Sequence, residues 1–143
     1  LRAYKTKEEE YGTLSLHYGI GEIRMLLAAA ENGGGISILN ANGKETAGFG
    51  ANEEGGHITI ANSDGKRVAT LGTLENAGVL GIGNMNGIPQ AILAIGENGG
   101  KLDIYNSHDV RVGYFGSSKD KDGIIWISDR YGDIGWGETG KVK

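Results

Sequence analysis

The stretch "GGISILNANGKETAGFGANEEGG" (Gly34 to Gly56) decides how this chain is read. It opens in glycine, alternates apolar and polar residues, turns at Asn40-Ala-Asn-Gly43, alternates again and closes in glycine. Apolar residues at every second position describe a strand with one buried face. Asn at the first place of a turn and Gly at the fourth predict a type I turn closed by a left-handed glycine bulge. The next stretch, "HITIANSDGKRVATLGTLENAG" (His57 to Gly78), repeats the pattern.

Set in frames of 22, the chain falls into units 13–34, 35–56, 57–78, 79–100 and 101–123, the last with one extra residue. Residues 1–12 fit the second half of the same frame. Unbroken self-similarity at a fixed period marks a repeat architecture. Residues 1–123 are thus expected to form the array, and 124–143 a divergent, aromatic-rich capping repeat.

Two columns carry the first strand of each unit: Leu14/Leu16, Ile36/Ile38, Ile58/Ile60, Leu80/Ile82, Leu102/Ile104 and Ile125/Ile127. Two more carry the second strand. One is mostly small (Met25, Ala47, Ala69, Ala91, Gly113) and the other large (Leu27, Phe49, Leu71, Leu93, Phe115). "EIRMLLAAAE" (Glu22 to Glu31) has high helix propensity, but the repeat frame assigns it to a strand, where context outweighs propensity. Glu31, Glu53, Glu75 and Glu97, with Glu9 before them, share one column at the second turn. Stacked at the ~4.8 Å strand spacing they would form a repelling ladder, so a hairpin meander or intertwined chains are favoured over a one-chain solenoid.

The spacing "GxIxIxNxxGKxxAxxG", clearest over Gly34 to Gly50 and Gly56 to Gly72, resembles the β-structured trimeric shafts of phage tail fibres and tailspikes and of some bacterial surface fibres. The resemblance implies an all-β fold of two short strands and two tight turns per unit, in an elongated β-prism or triple-stranded β-helix-like homotrimer. The small column would then sit at a crowded axis. It further implies a non-catalytic structural fibre outside the cell, on a cell surface or on a virion, acting in assembly or adhesion. The alternative is a carbohydrate-binding or polysaccharide-cleaving fibre module. A third reading is a monomeric single-layer or barrel sheet.

Little in the sequence points to chemistry. With no cysteine there is no disulfide framework and no thiolate zinc site. A net charge of -4 without a basic tract argues against nucleic acid. No apolar run approaches the ~20 residues of a membrane span. His17, His57 and His108 occupy different places in the repeat, so no shared metal site is expected, and no cofactor. "GIGNMNG" (Gly81 to Gly87) lacks the spacing of a phosphate-cradling loop. Asp103, Asp109, Asp129 and Asp133 are the available acids for glycoside chemistry, and Tyr105, Tyr114, His108 and Arg111 the nearest approach to a lyase set. Neither group carries a mark of activation, and the chain is expected not to be an enzyme. The aromatic residues Tyr105, Tyr114, Trp126, Tyr131 and Trp136 gather near the C-terminus, as a cap for a thin core or as a contact surface for sugar or protein.

Overall fold

The computed structural model describes residues 2–5 and 12–140. Glu9 lies outside the described residues. Thirteen strands follow one another: β1 (Arg2–Lys5), β2 (Gly12–Tyr18), β3 (Glu22–Ala30), β4 (Gly33–Leu39), β5 (Glu45–Asn52), β6 (Gly55–Ala61) and β7 (Arg67–Leu74). β8 (Ala77–Gly83), β9 (Pro89–Gly96), β10 (Gly99–Tyr105), β11 (Arg111–Ser117), β12 (Gly123–Ser128) and β13 (Ile134–Thr139) complete the chain. The helix-prone segment from Glu22 is strand β3, held between β2 and β4.

Each strand pairs antiparallel with its chain neighbour, giving one open sheet in the order β1 to β13. The turns explain this simple order. At one edge, the Gly43 N–H donates to the Asn40 carbonyl (3.0 Å), and Gly65 and Gly87 do the same to Asn62 and Asn84 (2.9 Å each). These glycines have positive φ (71°, 78° and 82°), which a Cβ would disfavour. The strand register shifts beside each of these turns, after Ile38, Ile60 and Ile82, as the bulge requires. The asparagine side chain does two jobs. Asn62 Oδ1 accepts from the Asp64 and Lys66 N–H groups, while its Nδ2 donates to the Met85 carbonyl one unit away (2.8 Å). Asn40 and Asn106 reach Ser63 and Arg130 in the same way.

At the other edge, two residues suffice between strands, as between Leu74 and Ala77, where Glu75 and Asn76 both have positive φ (51° and 65°). That is the type I′ geometry that matches strand twist. Glu31, Glu53, Glu75 and Glu97 lie in these turns, one for every second strand. Their separation is about twice the ~4.8 Å strand spacing. The longer fifth unit turns through Ser118–Asp122, with Lys121 at φ 68°.

This architecture corrects the fibre reading. The sheet is neither closed nor curled, so it is not a β-prism, a triple-stranded β-helix or any other wound shaft. The reason lies in the hydrogen bonds. Every strand from β2 to β12 has both edges filled by its own chain neighbours, leaving none to intertwine with another chain. The likeness to tail fibres and tailspikes was one of local repeat chemistry, shared by any hairpin meander. With the wound shaft goes the assignment as an elongated structural fibre.

Candidate functional site

Pairing register sets which side chains share a face, because neighbours directly opposite point the same way. Following the partners across β2 to β12 gives one row of Leu14, Leu27, Ile36, Phe49, Ile58, Leu71, Leu80, Leu93, Leu102, Phe115 and Ile125. A second row on the same face, from β2 to β13, reads Leu16, Met25, Ile38, Ala47, Ile60, Ala69, Ile82, Ala91, Ile104, Gly113, Ile127 and Trp136. Neither row carries a charge up to β12; Glu138, paired with Ile125, is the first.

These rows ought to be the core, and they are not covered. Among the described residues no apolar side chain is buried. Phe49 is 59% exposed, Leu71 52% and Phe115 62%. The few buried residues lie on the opposite face: Gly50, Thr59 and Asp103. The total accessible surface is 10519 Å². A globular monomer of 15.0 kDa exposes about 7,000 Å². The chain therefore leaves roughly 3,500 Å² more in water than its size calls for, as a single-layer sheet with two uncovered faces must, and one of those faces carries the two uncharged apolar rows.

The aromatic residues expected to act together are divided. Tyr114 and Trp126 are cross-strand partners on the opposite face, their rings stacked at 5.5 Å with planes 12° apart. Arg111 lies over the Trp126 ring (4.5 Å) and donates to Asp103 Oδ1 (3.0 Å). Lys101 Nζ reaches the other oxygen of Asp103 at 3.1 Å. The Asp103 carboxylate, 2% exposed, is thus matched by two half-exposed cations, which is how a buried charge is tolerated. Tyr105 lines a cleft beside Lys101 and Asp103. Trp136 instead ends the second apolar row, and Tyr131 sits in the turn after β12 with Arg130 above its ring. Five residues therefore serve four places.

The acids and histidines are similarly dispersed. Asp129 Oδ1 accepts the N–H groups of Tyr131 and Asp133, a turn-forming role. Asp109 occupies the positive-φ turn position that glycine fills in other units. His17 bonds Ser15 (2.8 Å), His57 lies on the face away from the apolar rows, and His108 is in the β10–β11 turn. Among the described residues no three His, Asp or Glu side chains are placed to hold a metal ion, and no helix is long and apolar enough to cross a membrane. No protein-family model matches the chain, and no curated protein matches its sequence.

Proposed function

We propose that this protein is a self-associating β-sheet domain that works by assembly rather than catalysis, with copies covering one another's two apolar rows. The observation that carries this is the uncovered, uncharged face, eleven strands wide from β2 to β12. A second copy is the occupant that the numbers favour. Covering even half of the ~3,500 Å² excess on each of two chains would bury about 3,500 Å² in total, inside the class of obligate homo-oligomer interfaces, whose total buried area runs to roughly 2,000–5,000 Å². The rows lack charge until Glu138, so identical faces meet without like-charge repulsion. In the second row, Ile38, Ile60, Ile82 and Ile104 alternate with Ala47, Ala69, Ala91 and Gly113, and ridges of this kind can enter the notches of an identical partner.

Two copies make the smallest closed set, and three copies around a common axis satisfy the same argument. Each predicts that folding and association are one event. The melting temperature should therefore rise with protein concentration, because association stabilises only the folded chain. Scanning calorimetry over a hundredfold range of concentration checks this. A midpoint independent of concentration contradicts the proposal.

A further inference from the structure

The second apolar row is its own complement. It runs from Leu16 on β2 to Trp136 on β13, and its midpoint falls between Ala69 on β7 and Ile82 on β8. Turned end for end about that midpoint and laid on itself, the row sets Ile60 over Ala91, Ile82 over Ala69 and Ile38 over Gly113. From β4 to β11 every isoleucine then meets an alanine or glycine. The same turn serves the first row. Phe49 falls over Leu102 and Phe115 over Ile36, so neither ring meets a ring. Glu138 lands at the margin, over Leu14, and the two copies of it stand about 50 Å apart, well beyond the reach of screened charges.

We infer that two copies pack face to face about a twofold axis that runs along the strands between β7 and β8, so that β2 of each lies over β13 of its partner. This rests on the association proposed above and fixes its stoichiometry and direction. A twofold interface must be self-complementary, which this face is in that one register. Moving the axis onto β8 puts Phe49 over Phe115 and Ala47 over Gly113, a collision beside a void. Turning the partner the other way, each strand over its own copy and first row over second, sets Ile58 on Ile60 but Leu71 on Ala69. The gap between sheets would then alternate from strand to strand, against the even density of packed interiors. Stacked sheets cross at about 30°, so the fit is tightest at the axis and loosens toward β2 and β13.

The chain has no cysteine, so single spin labels can be placed at will. Ile20→Cys in the β2–β3 turn and Ala41→Cys in the β4–β5 turn are exposed and lie off the apolar rows. Pulsed electron resonance on each labelled protein reads the distance between the two copies of that turn. With strands ~4.8 Å apart and sheets ~10 Å apart, the inferred dimer gives about 50 Å at residue 20 and about 30 Å at residue 41. A dimer with nearly equal distances at the two turns overturns the inference alone, and so does an assembly of three copies. A single 15.0 kDa chain with no dipolar coupling removes the association and the inference together.

A knob-and-notch exchange gives a second reading. Residues 60 and 91 lie three strands apart in one chain, about 14 Å, too far to couple directly. Ile60→Ala and Ala91→Ile are each expected to weaken association at least about tenfold, while the double variant returns to within about threefold of the parent. Losses that simply multiply in the double variant contradict the inferred register. Should a single variant fail to fold, the labelled chains carry the test.

Discussion

Leu71→Asp is expected to dissociate the assembled protein and raise its dissociation constant by at least about a hundredfold. Leu71 stands on β7, mid-sheet, between Ile58 and Leu80 in the first apolar row. In a lone chain it is half-exposed, and a surface substitution of that kind normally shifts stability by no more than ~0.5 kcal/mol. Between copies, the same carboxylate would be stripped of water with no cation nearby, a cost of several kcal/mol. The two situations thus differ in outcome by an order of magnitude in free energy. Lys66→Ser, in an exposed turn, is the control and should leave association unchanged. Sedimentation velocity on both variants reads the difference.

The second large effect concerns the hairpin between β3 and β4. Gly33 has φ +141°, and an added Cβ would stand 1.9 Å from the Ala51 carbonyl oxygen and 2.8 Å from its carbon. Both atoms are backbone of β5, which cannot yield without breaking its pairing with β4. Gly33→Val is therefore expected to cost about 3 kcal/mol or more, from a disfavoured backbone region and a clash together. Gly78→Val supplies the contrast. Gly78 lies within β8 and a Cβ there meets nothing within 4 Å, so the change should be near neutral, with valine's strand preference as a small gain. Denaturant midpoints for the two variants separate a required glycine from an incidental one.

These cases show what the sequence discloses. Local structure was legible because it is encoded locally. Asn62 and Gly65 specify a turn through four residues, and Ile58 and Ile60 specify an inward face through three. Even the helix-prone Glu22–Ala30 yields to its place in the repeat. The arrangement of strands was not legible, because a meander in an open sheet and a wound shaft use the same alternation and the same turns. What separates them is which strand edges find partners, a property of the whole chain.

The same limit governs the sites. Tyr114 and Trp126 stack because register brings them opposite, while Trp136, equally aromatic, faces the other way at the end of an apolar row. Lys101, Asp103 and Arg111 are equally unremarkable in sequence, and their ion pairs form only through the pairing of β10 with β11 and the alternation along β10. The exposure of the apolar rows was equally hidden, since alternation says that a face should be covered but not what covers it.

On the proposal made above, copies of this chain supply that cover. The most direct test is the molar mass in solution by light scattering at micromolar concentration and below. The expected result is a defined multiple of the 15.0 kDa chain, two or three copies, that persists on dilution until folding itself is lost. A folded, stable single chain of 15.0 kDa would contradict it.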